Sequence, residues 1–424
     1  MEWMISTVIS QFTSARAAWS RPLRRIAGAL LALAPERYEM RLNPAKFGFR
    51  EEDIPSPPDQ PSADIRLYVA PVNFAGQGYA WARSAELLPG VGAVSMQYRS
   101  ERNYGFPIDN PVPVEVFTRS GRWQAAQHEA VTRGFTHVLI EAERSIFGSL
   151  FDTSPAREIA DLRERGIAVA MVSHGSDLRL PSRHAERDEW SPFRDSEWDL
   201  VPALEEQALS NRALLAEIGA PVYVSTPDLL RDFPAGRWLP VVIDPAVWAA
   251  ADGVLVRERP VVAHVPSSPT MKGSALIDPI LRDLHDAGII EYLRMEGVQA
   301  HLMPDLYKRA DVVLDQFRLG LYGVAACEAL AAGRIVLGHV DEFSREHVLR
   351  TTGFRLPVVE ATPATIRDVI LDVLERRAHY RSIARDGVEF VRRVHDGRAS
   401  ARELRRFLRP EAEGGEPWAD TVDG

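Results

Sequence analysis

A single cysteine, Cys327, occurs in the 424 residues of this chain. No internal disulfide can form, and such usage suits a reducing compartment, with Cys327 packing as a small apolar residue. Long apolar runs are missing too. None reaches the ~18 residues that a membrane-crossing helix needs. Positive charge is in deficit, with 50 Lys and Arg against 59 Asp and Glu and a formal charge of −9. A broad basic footprint for nucleic acid is thereby excluded. There is no Asp-x-Asp triplet, zinc-type spacing, Walker loop or internal repeat. What remains is a length that suits two or three domains with ample core.

The most informative stretch runs from Ala310 to Gly338. Val312–Leu314 reads as a strand ending at Asp315. A loop carrying Gly320 and Gly323 follows, then a small-residue helix over Val324–Ala332 closed by Gly333, then a second strand at Ile335–Leu337. This is a βαβ unit, whose strands run parallel. The helix is apolar on every side except at Glu328, so it is expected to be buried, and a buried carboxylate needs a polar partner. No Ser, Thr, Asp or Asn stands at Gly320–Gly323 to cap the helix. Its first amides are therefore expected to be open, and open amides reinforced by the helix dipole suit an anion. One reading is a pocket with phosphate at the helix start and hydroxyls near Glu328, as a nucleotide sugar offers. The other is a core helix with Glu328 paired to an arginine.

Further βα alternation surrounds this unit. Arg66–Ala70 reads as the first strand, leading into a loop with Gly76, Gln77 and Gly78. That loop fits either close approach of a ligand to backbone or a tight turn needing positive φ. It is not GxGxxG, so a nicotinamide cofactor gains little support. His137–Ile140 is a strand ending in Glu141, Glu143 and Arg144, at the strand end where open α/β sheets bind ligands. Ala168–Val172 is the next strand, followed by His174, Gly175, Asp177 and Arg179. A loop with Met271, Lys272 and Gly273 follows the strand at Val261–Val265. Residues Met1–Pro35 are acid-poor, with Arg16, Arg21, Arg24 and Arg25 and an apolar run at Ile26–Ala34. They fit an interfacial membrane helix, a secretory signal or a helix docked on the body.

The motif GLYGVAACEALAAG, from Gly320 to Gly333, resembles the donor-site signature of retaining glycosyltransferases of the GT-B fold, family 4 in particular. The similarity covers most of the chain from Ile65 to Leu408. It implies that Glu328 holds the nucleotide ribose and that Gly320, Leu321, Tyr322, Gly323 and Val324 contact the donor phosphates. Gly320 stands where the family has a first Glu. The Lys272–Gly273 step matches a family phosphate site, Lys272 acting as a point charge. The family's second cation falls on Ser267 here, leaving Arg318 and Arg179 as substitutes. Gly76, Gln77 and Gly78 are implied to lie over donor phosphates and acceptor. Leu302 and Met303 fall in the loop that holds the base. His174, in the first-domain active-site loop, becomes the candidate catalytic residue.

The expected fold is α/β, with two Rossmann-like parallel-sheet domains facing across a cleft. The expected division is a basic amphipathic extension over 1–50 and a proline-rich linker over 51–63. An acceptor domain over 64–240 and a nucleotide-sugar donor domain over 241–390 follow. A helix over 391–408 returns to the first domain, and 409–424 is a disordered acidic tail. The expected activity is transfer of a sugar from a nucleoside-diphosphate sugar to the hydroxyl of a glycan, lipid or small-molecule acceptor. It proceeds with retention, without metal or other cofactor, in the cytoplasm, with the inner membrane face as a contact for 1–35. The alternatives are a nucleotide-sugar epimerase on the same fold and a non-catalytic sugar-nucleotide-binding subunit.

Overall fold

The structure is a computed structural model that describes residues 36, 40, 44–99, 104–250 and 253–410. The expectations for Met1–Pro35 and for the tail from 411 onward lie outside the described residues. Within them, no helix is long and apolar enough to cross a membrane.

The first domain holds β1 (Ile65–Ala70), β2 (Val91–Arg99), β3 (Asn110–Pro113), β4 (His137–Glu141), β5 (Ala168–Ser173), β6 (Val222–Val224) and β7 (Arg237–Trp238). They form one sheet in the order β3-β2-β1-β4-β5-β6-β7. The second domain holds β8 (Val261–His264), β9 (Glu291–Arg294), β10 (Val312–Leu314), β11 (Ile335–Gly338) and β12 (Val358–Glu360), in the order β12-β11-β10-β8-β9. Every neighbouring pair is parallel. The central strands are continuous apolar runs because helices cover both faces. Leu67, Tyr68, Val69 and Ala70 of β1 are fully buried.

The helices that bear on the cleft and on the connection between the domains are α1 (Gln77–Ala85), α2 (Pro181–Arg187), α3 (Val201–Ile218), α4 (Ser274–Asp286), α5 (Val324–Ala331), α6 (Arg377–Phe390) and α7 (Arg398–Leu408). A π-helical turn over Val391–His395 and Gly397, at φ 98°, separate α6 from α7. That break turns α7 back onto the first domain. There Leu404, Phe407 and Leu408 join the cluster of Leu67, Val69 and Trp81.

Residues 239–243 connect the domains and are held from three sides. Gln77 donates to the Val242 carbonyl at 3.1 Å and accepts from its amide at 2.7 Å. The Trp81 indole and the Ser400 hydroxyl both donate to the Pro240 carbonyl. His395 pairs with the Val241 carbonyl at 2.7 Å and accepts, through its own carbonyl, from the Ile243 amide.

The two sheets face each other across a cleft at the carboxyl ends of their strands, as the sequence leads one to expect of the GT-B arrangement. In each sheet the strand order reverses once, between β1 and β4 and between β8 and β10. Such reversal points open a crevice beyond the strand ends, where open α/β sheets take ligands.

Candidate functional site

A cavity of about 680 Å³ lies between the domains. Its first-domain wall comes from loops after β1 (Phe74, Ala75, Gln77), β4 (Ala142–Arg144), β5 (His174–Asp177, Arg179) and β6 (Ser225, Thr226), with Leu204, Gln207 and Asn211 of α3. The second-domain wall is Met271, Leu319, Leu321, Gly323 and Val324.

The start of α5 opens onto this cavity. Gly323 is its N-cap, and no side chain caps it. The first backbone bond of the helix runs from the Cys327 amide to the Gly323 carbonyl at 3.1 Å. The amides of Val324, Ala325 and Ala326 lie ahead of that bond, so the helix start is uncapped, as expected from the sequence. The preceding loop is shaped by Gln316, a buried side chain at the end of β10. Its amide nitrogen donates to the carbonyls of Leu321 and His339, and its oxygen accepts from the Arg318 and Leu319 amides.

Gly320 and Tyr322 do not join the cavity lining. Gly320 is left-handed, with φ +63°, and a Cβ there would lie 3.2 Å from Asp188 Oδ2 and 3.3 Å from the Asp341 Cβ. The place of the family's first Glu is thus closed by backbone conformation and by two aspartates. Tyr322 is 2% exposed and its hydroxyl meets His395 Nε2 at 3.3 Å, so it is a core residue.

Lys272 is not a free cation. Its ammonium is bonded to Asp315 at the end of β10, a carboxylate only 2% exposed. Gly273, at φ +78°, lets the chain turn into α4, and a Cβ there would meet Arg318 Cγ at 2.9 Å. Glu328 lies within reach of the field of both partners of the ion pair. Burial pushes its carboxyl up to about 8, with Lys272 opposing the rise and Asp315 adding to it. No arginine pairs with Glu328 among the described residues, so its charged neighbours are one lysine and one aspartate. The substitute cations are taken as well. Arg179 is 2% exposed and bonded to Asp228 at 2.6 and 3.0 Å. Arg318 spans the domains, donating to the Trp190 carbonyl at 3.0 Å and the Ser191 carbonyl at 3.1 Å.

Opposite α5 stands His174. Its Nε2 lies 3.1 Å from Glu141 Oε1, and Glu141 is fully buried at the end of β4. The imidazole is held between Phe74 and Trp81, with ring centroids at 5.1 and 5.3 Å. Asp177 fixes the backbone beneath it by accepting from the amides of His174 and Gly175. Burial raises the Glu141 carboxyl, and the His174 contact works against the rise. Glu143 sits beside them at 5% exposure, accepting from Ser173 Oγ at 2.6 Å. Burial first, and Asp177 next, push its carboxyl well above the ordinary range. Ala142 and Glu143 both adopt left-handed backbone, with φ +57° and +53°. Two successive non-glycine residues there are costly, and such outliers concentrate at functional sites.

The loop at Gly76–Gly78 reaches the cavity through Phe74, Ala75 and Gln77. The glycines themselves serve packing. A Cβ on Gly76 would meet Phe106 at 3.0 Å, and one on Gly78 would meet Glu141 Oε2 at 2.6 Å. Gln77 is committed to Val242 at the interdomain connection. Leu302 is half exposed and Met303 packs against the apolar core; neither lines the cavity. Asp315, Gln316 and the burial of Glu141 and Glu143 escaped the sequence reading. The available signal was their common position, just at or beyond the carboxyl end of a parallel strand. Among the described residues, no group of three or more His, Cys, Asp or Glu is placed to hold a metal ion.

No family model matches the chain. No curated protein matches it in sequence. Solved structures with a similar chain path include sucrose-phosphate synthase from Thermosynechococcus elongatus, at 13% identity over 82% of this chain and 98% of that one, with a TM-score of 0.49. HepE from Anabaena, in complex with UDP and glucose, is 12% identical over 81% of this chain and 98% of that one, also at 0.49. The catalytic domain of starch synthase IV from Arabidopsis thaliana, bound to ADP and acarbose, is 10% identical over 82% and 99%, again at 0.49. What the present chain binds has to be argued from its own residues.

Proposed function

We propose that this protein is a glycosyltransferase that moves a sugar from a nucleoside-diphosphate sugar to an acceptor hydroxyl. The observation that carries this reading is the uncapped start of α5, which opens on a cavity whose far wall holds His174. The amides of Val324–Ala326 and the dipole of α5 would stabilise the leaving diphosphate as its charge develops. No protein-bound metal is then required. Glu328, near neutral by virtue of its raised pKa, would meet donor hydroxyls, and the acceptor would enter against the first-domain wall. Closure of the cleft would exclude water and favour transfer over hydrolysis. A nucleotide-sugar donor places the reaction in the cytoplasm.

The stereochemical course has two readings. The resemblance implies retention, with the leaving diphosphate itself taking the acceptor proton. The His174–Glu141 pair favours the other, because it supplies a base on the wall opposite α5. A reading without turnover is favoured by the bonding of Lys272 to Asp315 and by the closed position of Gly320. Under it, the chain binds sugar nucleotides and leaves chemistry to a partner.

The test is incubation of the purified full chain with uridine, guanosine, adenosine, cytidine and thymidine diphosphate sugars. Each is run with and without mono- and oligosaccharides, polyprenyl phosphate and phenolic acceptors, in the presence and absence of EDTA. Acceptor-dependent release of nucleoside diphosphate, unaffected by EDTA, supports the proposal. A changed sugar formed from donor alone would mark an epimerase. Nucleotide binding with no product from any mixture would mark a binding subunit.

A further inference from the structure

We infer that Arg144 makes the first-domain wall of the cleft a subsite for an acceptor that carries a carboxylate or a phosphate. This rests on the glycosyl-transfer reading and names the class of hydroxyl compound which that reading leaves open. The chain is acidic overall, with a formal charge of −9, so an anion in the cleft needs a local cation to hold it. Among the described residues, two arginines and no lysine line the cavity. Arg179 is spent on Asp228, 2.6 and 3.0 Å away. Arg144 is exposed, and its one hydrogen bond among the described residues runs from Nη1 to the uncharged hydroxyl of Tyr98.

The surroundings hold that guanidinium in place and leave Nε and Nη2 available. It sits over the ring of Phe74, 5.5 Å from the centroid, and Phe74 is itself 43% exposed. Tyr98, which receives Nη1, is packed on Phe117 with ring centroids 4.7 Å apart. A guanidinium already fixed by its neighbours loses little freedom when it takes up an anion. The backbone explains how it comes to face the cleft. Ala142 and Glu143 are left-handed, with φ +57° and +53°. This turn buries Glu143 against Ser173 and Asn211 and sends Arg144 outward. Such backbone is costly, and it recurs where a side chain must be presented to a ligand.

The acids of this wall are already engaged. Glu141 Oε1 meets His174, Glu143 accepts from Ser173, and Asp177 accepts from the amides of His174 and Gly175. The open charge on the wall is therefore positive. A guanidinium takes a carboxylate or a phosphate through two parallel bonds, which fixes orientation as well as affinity. Phe74 lies between Arg144 and His174, whose ring centroid is 5.1 Å from its own. An acceptor held by its charge at Arg144 would lay its apolar face on Phe74 and point a hydroxyl past His174 toward the start of α5.

The test uses the full chain, the nucleotide sugar that the activity panel identifies, and acceptors in matched sets. Each set is a neutral sugar, its uronate and its primary-hydroxyl phosphate ester, for glucose, galactose and mannose. Wild type should use a uronate or a phosphate ester with a kcat/KM about 10-fold or more above that of the neutral sugar. Whichever charged member is preferred tells carboxylate from phosphate. Arg144→Gln should lower that ratio by roughly 10–100-fold. Arg144→Lys, which keeps the charge and loses the fork, should retain part of it. A readout without turnover is phenylglyoxal labelling of Arg144, followed by peptide mass mapping with nucleoside diphosphate present. The charged probes should slow the labelling, and the neutral sugars should not. Equal or better use of neutral sugars by the wild type, a ratio unmoved in Arg144→Gln, or labelling that no charged probe slows would overturn the anionic subsite while leaving glycosyl transfer standing. Absence of product from the wild type in every mixture of the activity panel would overturn the transfer reading itself, and this assignment with it.

Discussion

Replacing Glu328 by Gln should stabilise the protein above about pH 4.5, and most at alkaline pH. The carboxyl sits in α5 beside the Lys272–Asp315 pair, and burial pushes it up to about 8 from an ordinary 4.5. A carboxyl raised in the folded state holds its proton longer there than in the unfolded chain. Stability therefore falls as pH rises from about 4.5 to about 8, and the full cost is present above that window. The displacement corresponds to at most about 5 kcal/mol, at ~1.4 kcal/mol per tenfold change in proton affinity. Glu328 is half-buried, and screening by water reduces the cost to about 2–3 kcal/mol. For domains of this size each kcal/mol moves Tm by about 2–4 °C, so the variant should melt roughly 4–12 °C higher at pH 8.5. At pH 4.5 the two proteins should melt together. Differential scanning calorimetry of both at pH 4.5, 6.5 and 8.5 measures the gap. An equal gap at all three values would show an ordinary side-chain effect and refute the reasoning. A variant less stable at pH 8.5 would refute it more strongly, since the ionised carboxylate would then have a partner.

Three further outcomes rest on the same geometry. Lys272→Ala leaves the Asp315 carboxylate buried and unpaired and should cost about 3–5 kcal/mol in urea unfolding, while Lys272→Ala combined with Asp315→Asn should recover most of it. His339 bridges the domains, with Nε2 3.2 Å from Asp188 and Nδ1 2.7 Å from Glu360. Burial alone would lower its pKa, but the two carboxylates outweigh that and hold it at about 9. Its contribution is fully present below about pH 6.5 and is lost as pH rises through 9. His339→Gln should thus cost about 1–2 kcal/mol at pH 6, allowing for the 45% exposed Glu360 side chain, and nothing at pH 10. Gly320→Ala places a Cβ in left-handed backbone against Asp188 and Asp341 and should cost about 1–2 kcal/mol, with Gly320→Glu costing more.

Much of the architecture was legible in the sequence. The apolar runs at Arg66–Ala70, His137–Ile140, Ala168–Val172 and Val312–Leu314 all became parallel strands, because a strand covered on both faces needs no polar alternation. The helix expected over Val324–Ala332 runs over Val324–Ala331, uncapped as its neighbours required. Pairing across long sequence separations was not legible. Nothing near Lys272 announces Asp315, 43 residues on, and nothing near Arg179 announces Asp228, 49 residues on. A list of cations therefore overstated how much free positive charge the cleft holds. Gly320 was read as a departure from a pattern, whereas its φ and its two aspartate neighbours make glycine the residue that fits. Gln77 looked like a loop residue near a ligand, but its amide is spent on Val242, 165 residues away. The burial of Glu141 and Glu143 was hidden for a related reason: strand ends show where a side chain starts and not which other segments of the domain, here those of His174, Gly78, Ser173 and Asn211, close over it.

The central claim is that the amides opening α5 hold a diphosphate. Backbone hydrogen exchange across Gly320–Cys327, measured with and without saturating uridine, guanosine or adenosine diphosphate, tests it most directly. The account predicts slowed exchange at Val324, Ala325 and Ala326 with whichever nucleotide binds, and that a nucleoside lacking phosphates gives none. Saturable nucleotide binding that leaves those three amides exchanging at their free rate would contradict it.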